Sequence, residues 1–360
     1  MKSQLRRGGV ACAALLAALH LGAAPLTGAK VQKAAGDLAG AVRAAASGTG
    51  PAWIGYSVAS AGSHHICCGW GDGGFGPCGG RCPLDSGPHD QGFSITDSDD
   101  CRSDPGALGV FLKIGRDGRA ERIRVFSESC AVDAQGISIA WLDRVSPAES
   151  VAFLESLVTG ARTERRDGEG EREPWNRAIT AIALHDDPSA DAALERFVSP
   201  RSPEAVRAKT VFWLGNVRGN RGYEVLRRLA REEESESVRK KVTFALSQSP
   251  VPAAVDTLIA MAKTDASSKV RGQALFWLAQ KASRRAADTI QDAIRDDPET
   301  EVKKRAVFAL SQLPPEESVT QLIRVARTNR NPAVRKQAIF WLGQSKDPKA
   351  LEFLEEILSR

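Results

Sequence analysis

His64-His65-Ile66-Cys67-Cys68, followed by Cys78-Gly79-Gly80-Arg81-Cys82, is the densest collection of soft donors in the chain. Imidazole nitrogens and thiolates so close together could hold a metal ion. The spacing matches no standard zinc pattern, however, and the Cys-x-x-Cys-His of haem attachment is missing. Cys67, Cys68, Cys78, Cys82, Cys101 and Cys130 are the cysteines that follow Cys12, all ahead of residue 131. An even set confined to one region of an exported chain reads as a disulfide framework, with no metal and no cofactor. Several pairings are open, and adjacent Cys67 and Cys68 go to different partners. No catalytic constellation is visible: beyond the leader the histidines are His64, His65, His89 and His185. A nucleophile elbow, a phosphate-cradling glycine loop and His-Glu-x-x-His are all missing. The chain is therefore expected not to be an enzyme.

Residues 1–29 read as a signal peptide. Lys2, Arg6 and Arg7 form a basic start, Val10 to Leu26 an apolar stretch, and Thr27-Gly28-Ala29 a small-residue cleavage site. The expectation is an exported protein, periplasmic or extracellular, with no membrane span after cleavage. Removing those three cations and no acid lowers the formal net charge from +5 to +2. A nearly neutral chain lacks the broad positive field that phosphate backbones require, so nucleic acid is not an expected partner.

Residues 30–50 are small and Ala-rich and read as a linker or a loose helix. Residues 51–160 read as a small Cys-rich α+β module, irregular over 62–105. Its strands are Trp53 to Ala61, a hairpin of Val110–Ile114 and Arg122–Phe126 around Gly115-Arg116-Asp117-Gly118, and Gly136 to Leu142 with Ile137, Ile139 and Trp141 on one face. A closing helix starts at Ser146-Pro147-Ala148-Glu149, Ser as N-cap and Glu completing a capping box. Charged residues 161–173 read as a solvated linker.

From Pro174 onward the sequence repeats every 32 residues. Val206, Val238, Val270, Val302 and Val334 are each followed by Arg or Lys (Arg207, Arg239, Arg271, Lys303, Arg335). Phe212, Phe244, Phe276, Phe308 and Phe340 come next in each unit, then Leu214, Leu246, Leu278, Leu310 and Leu342. A fixed period of this size marks a stacked solenoid whose units bury apolar faces only against neighbours. Each unit supplies two helices, such as Val334 to Gln344 and Pro348 to Leu358. Residues 174–360 are thus expected to form an α-solenoid of about six helix pairs, the first atypical with Trp175 and Thr180 in the Arg and Phe slots.

These units resemble HEAT repeats of the short bacterial type, related to phycobilisome-lyase-like repeats. The resemblance rests on Val-Arg opening a helix, on Ala274, Ala306 and Ala338 at the fifth position, and on Leu one turn later. It implies that the Val-Arg helices line the inner face and that the Arg ties to an acidic turn of an adjacent unit. It also raises an enzyme or enzyme accessory as an alternative function, although the His-Glu pairs of HEAT-like hydroxylases do not occur here. In this chain Phe occupies a usually polar slot. Trp213, Trp277 and Trp341 alternate with Ala245 and Ala309 beside it, which suggests units paired as dyads, large against small.

A helix turns about 100° per residue, so positions 0, 4 and 8 from each Val form a buried stripe and positions 3, 6 and 10 share another side. That second side gathers the Phe ladder with Lys209, Lys241, Arg305, Gln248, Gln280, Gln312 and Gln344. Aromatic anchors with amide and cationic neighbours would suit an extended or helical polypeptide. The opposing reading is that the Phe side chains only pack between units. The expected function is a non-catalytic scaffold or adaptor that binds another protein through the solenoid, or else a purely structural envelope protein.

Overall fold

From the second unit on, Val at position 0, Leu at position 8 and Thr210, Val242 or Ala at position 4 give every first helix one stripe facing inward, and the array is built by burying it. The computed structural model describes residues 26–62, 65–68, 82–85, 93–96, 106–127, 130–160, 173–281 and 283–359. The metal-like grouping around His64 and Cys78, most of the leader and the linker 161–172 lie outside the described residues.

The N-terminal part contains β1 (Leu26–Thr27), β2 (Lys30–Ala34), α1 (Leu38–Ser47), β3 (Trp53–Ala59), β4 (His65–Cys68), β5 (Cys82–Pro83), β6 (Phe93–Thr96), β7 (Ala107–Ile114), β8 (Ala120–Ser127), β9 (Val132–Asp133), β10 (Ser138–Leu142) and α2 (Pro147–Thr159). Five strands form a mixed sheet in the order β2-β10-β3-β7-β8, parallel across the first three and antiparallel across the last three. The hairpin at Gly115–Gly118 forms as read. Residues 30–50 are more regular than their composition suggests. Lys30–Ala34 is an exposed edge strand held by backbone pairing to β10, so it needs no apolar alternation. Leu26–Thr27 of the expected leader pairs with β9, and the Thr27 and Gly28 carbonyls accept from Ala134 N and Gly136 N at 2.9 and 2.8 Å.

The sheet has two apolar faces. Ile139 and Trp141 join Trp53, Phe111, Phe126, Leu84, Cys82 and Cys130 on one. There Gly55 lies under Trp141, where a Cβ would stand 2.8 Å from the indole ring. Cys82 and Cys130 are both fully buried there. The other four cysteine side chains lie outside the described residues. On the opposite face Ile54, Tyr56, Val58, Leu108, Val110 and Leu112 join one core with the helices. Ser146 caps α2 by accepting from Glu149 N, as read from the sequence. Glu149 itself accepts from Leu38 N at 2.7 Å, tying α2 to the start of α1.

Six helix pairs follow: α3 (Pro174–Leu184) with α4 (Pro188–Phe197), α5 (Glu204–Asn216) with α6 (Gly219–Glu232), α7 (Glu236–Gln248) with α8 (Ala254–Thr264), α9 (Ser268–Gln280) with α10 (Arg284–Asp296), α11 (Thr300–Ser311) with α12 (Pro315–Thr328), and α13 (Pro332–Gln344) with α14 (Pro348–Leu358). Ser235, Ser267, Ser283, Asn331 and Asp347 are side-chain N-caps. The chain is mainly helical, with fourteen helices among the described residues. No described helix is long and apolar enough to cross a membrane.

The two parts are continuous. Ala61 N donates to Leu184 O at 2.7 Å and Asp186 N to Ala59 O at 3.0 Å, while Trp175 is buried in the shared core. The first pair is atypical because its outer side packs under α2 and β8 instead of another unit.

Candidate functional site

The Phe ladder forms on the first helices of units two to six. Phe212 stacks on Phe244 with centroids 6.0 Å apart and Phe276 on Phe308 at 5.9 Å. Between these couples, Phe244 meets Trp277 at 4.9 Å and Phe308 meets Trp341 at 5.0 Å. Within units, Phe212, Phe276 and Phe340 sit edge-on to the Trp that follows each. The result is one unbroken ribbon of eight rings running from α5 to α13. Its dyad rhythm follows from the Trp/Ala alternation, since each Trp needs a small residue in the next unit.

Phe212, Phe244, Phe276 and Phe308 are partly buried, and Phe340 is 53% exposed. The rings pack between units while leaving part of each on the surface. Trp213 is fully buried, whereas Trp277 and Trp341 are partly buried. The indole Nε1 atoms of Trp277 and Trp341 are buried without a hydrogen-bond acceptor.

The polar neighbours fall where the helical wheel puts them. Lys209 Nζ lies 5.8 Å from the Phe212 centroid and 5.9 Å from that of Trp213. Lys241, Arg305, Gln248, Gln280, Gln312 and Gln344 are exposed beside the ribbon. Arg305 lies along Gly272 of the preceding unit and donates to Lys269 O at 3.4 Å. Gln248 and Gln312 donate to Ser247 and Ser311 at 3.0 and 3.3 Å.

The Arg after each Val works inside the fold. Arg207 clasps Glu233 at 3.0 and 3.1 Å, Arg239 clasps Asp265 at 2.9 and 3.2 Å, and Arg271 clasps Asp297 at 2.8 and 3.1 Å. Each also donates to a carbonyl of the turn before its own helix: Ser202, Glu233 and Asp265 respectively. One guanidinium thus locks two successive turns, and its five fixed donors suit that geometry. In the fifth unit Lys303 donates to Arg295 O at 2.9 Å, and the acid is replaced by Asn329.

One polar chain was not singled out from sequence. Tyr56 Oη lies 2.8 Å from Ser150 Oγ, which lies 2.8 Å from His185 Nε2, while His185 Nδ1 lies 2.7 Å from Ala181 O. Because a carbonyl only accepts, Nδ1 carries the ring proton, Nε2 accepts from Ser150, and Ser150 accepts from Tyr56. Tyr56, Ser150 and His185 are fully buried. Burial pushes the Tyr56 hydroxyl up and the His185 imidazole down to about 4. A serine beside a histidine resembles an activated nucleophile, but here no substrate can reach it and a carbonyl, not a carboxylate, orients the ring. The chain instead fastens β3 and α2 to the first repeat. His185 occupies a slot that holds Val217, Ser249, Lys281, Leu313 and Ser345 in later units, so the repeat pattern gives no signal for it.

Among the described residues, no group of three or more His, Cys, Asp or Glu is arranged to hold a metal ion. Among the described residues a cavity of about 550 Å³ lies between α4 and α6 and is lined mainly by charged residues including Asp191, Glu195, Arg221 and Arg228. Most of these are already paired across it: Arg221 with Asp191, and Arg228 with Glu195 at 2.7 Å.

Residues 190–279, 255–326 and 287–360 match the family model of HEAT repeats. No curated protein sequence matches the chain. Among solved structures, the complex of CpcE and CpcF of phycocyanin lyase from Nostoc sp. PCC7120 is similar at 18% identity, covering 44% of this chain and 97% of that one, with a TM-score of 0.34. Human deoxyhypusine hydroxylase in complex with glycerol is similar at 16% identity, covering 58% and 90%, with a TM-score of 0.25. The condensin Cnd3-Cnd2 subcomplex of S. pombe is similar at 18% identity, covering 56% and 29%, with a TM-score of 0.36. At these scores none of the three carries an argument about activity.

Proposed function

We propose, from the HEAT repeats that residues 190–360 carry, that this protein is an exported, non-catalytic scaffold that binds another polypeptide along its aromatic ribbon. The observation that carries the reading is the ribbon itself: eight rings in unbroken contact, all but Trp213 partly exposed, and flanked by Lys209, Lys241, Arg305 and four glutamines. Stacked rings turn their faces to one another and their edges outward. Ring edges carry partial positive charge, which attracts carbonyl and carboxylate oxygens. Amides and cations on either side do the same, so the surface favours an extended or helical segment with apolar anchors and acidic flanks.

In this reading the N-terminal module caps the first repeat, and a framework of all six cysteines stabilises it outside the cytoplasm. The test is affinity capture with the intact protein and a Lys241→Glu/Gln280→Glu/Gln312→Glu variant, whose changes lie on exposed side chains. A partner retained by the first and lost by the second, with equal melting temperatures, supports the reading. Equal retention by both sinks it.

A further inference from the structure

The 32-residue period allows each surface residue of the last unit to be compared with its counterparts inside the array. Phe212 and Phe276 stack on the Phe of the following unit, but Phe340, in the same slot, has no following ring and is 53% exposed. Gly215 lies against the next unit's backbone, where a Cβ would stand 2.4 Å from Ala245 O, whereas Gly343 has open space around it. Tyr223 reaches forward to Ala253 O and Thr257 Oγ1 at 3.2 Å, and its counterpart Leu351 is 60% exposed. Ala262, Ile294 and Ala326 are buried where Leu358 is 84% exposed. Of the four exposed large apolar residues described, three lie on this terminal face. This face keeps the apolar stacking surface of an internal unit.

Two charges frame that surface. Lys336 on α13 occupies the slot from which Gly272 touches Arg305 of the next unit, and Glu355 on α14 the slot from which Gln291 meets Arg324. Both are exposed, and among the described residues neither makes an ion pair. The face thus carries a cation on its first helix and an anion on its second, with Glu352, in the slot from which Asp256 meets Arg285, adding further negative charge there. Head-to-tail stacking of copies is closed off, because the outer side of α3 already lies under α2 and β8. A second copy can cover the face only by meeting the same face.

We propose that two copies of this chain associate through their C-terminal ends about a twofold axis, α13 of each lying over α14 of the other. Such an isologous contact pairs residue i with j and j with i. Lys336 then meets Glu355 of the partner subunit, Glu355 meets Lys336 of the partner subunit, and Phe340 and Gly343 are covered by Leu351 and Leu358 of the partner subunit. The two ribbons become continuous around the axis, so the dimer presents two linked copies of the binding surface. This does not depend on what the ribbon binds.

The test is the mass of the full chain by light scattering across micromolar concentrations. The wild type should run at twice the chain mass. Leu351→Glu/Leu358→Glu should run at once the mass with an unchanged melting temperature, since both side chains are exposed. Lys336→Glu and Glu355→Lys should each weaken the dimer, and the two together should restore it. A monomeric wild type at every concentration overturns the proposal, as does a dimer that survives Leu351→Glu/Leu358→Glu. Single charge reversals that weaken a dimer the double reversal does not rescue overturn the crossed α13–α14 arrangement.

Discussion

Lowering the pH through the range in which a free histidine gains its proton should loosen this protein at one place. His185 is fully buried, with Ser150 of α2 and Ala181 of its own helix on its ring nitrogens. Arg218 Nη1 donates to its carbonyl at 2.8 Å, and Asp187 stands two residues on. Burial lowers the imidazole from 6.5 to about 4, with Arg218 adding to the effect and Ala181 and Asp187 opposing it. Above about pH 6.5 the ring is neutral in both folded and unfolded chains, and its contribution is fully present. As the pH falls from 6.5 toward 4, the unfolded chain takes up a proton that the folded one refuses. The contribution is lost across that window and gone below it. The gap corresponds to about 3 kcal/mol. Ser189 holds the Asp187 carboxyl below its usual value, so that acid titrates beneath the window. The assay is urea unfolding at steps from about pH 7 to pH 4.5 for wild type and His185→Gln, which cannot titrate. The wild type should lose most of that 3 kcal/mol relative to the variant. Parallel pH profiles would refute the neutral buried ring and the fastening role built on it.

Other consequences follow from the packing. Phe308→Ser should cost about 1–3 kcal/mol, below a full core truncation because the ring is partly exposed, while Phe340→Ser should cost under about 1 kcal/mol. Thermal melting of the two variants checks the order, and equal losses would contradict the ribbon geometry. Asp297→Ala removes the closer carboxylate of the buried Arg271 guanidinium but leaves it Glu299 at 3.3 Å, and should cost about 1–3 kcal/mol, whereas Lys303→Ala, with no carboxylate partner among the described residues, should cost under about 1 kcal/mol; chemical denaturation separates them. If the chain is exported by cleavage, N-terminal sequencing of the mature form should begin ahead of Leu26. Cutting after Ala29 would remove the strand paired to Val132–Asp133.

The array was legible because its signal is repeated. Each Val, Ala and Leu of the buried stripe is confirmed by its counterparts, and the Val-Arg link needs only the acid that precedes the next unit. The hairpin and the Ser146 cap were legible from turn and cap chemistry alone. Lys30–Ala34 was not, because an edge strand held by backbone pairing needs no apolar pattern. The Phe side chains could not be assigned to core or surface by a helical wheel, since a wheel reports angle and not the distance to the next unit. Stacking of Phe276 on Phe308 depends on that spacing. Ser150 and His185 are far apart in sequence, and only the docking of module on array brings them to 2.8 Å.

The central claim, that the ribbon is a contact surface for another polypeptide, is tested most directly by placing a photo-crosslinking residue at Gln280 or Gln312, beside the rings. The control site is Asp288 or Thr320, exposed on the second helices. Irradiation in the native compartment should give a discrete adduct, with a peptide of the partner mapped to it, from the ribbon sites only. Adducts of equal yield from both sets of sites, or none from the ribbon, would contradict the account.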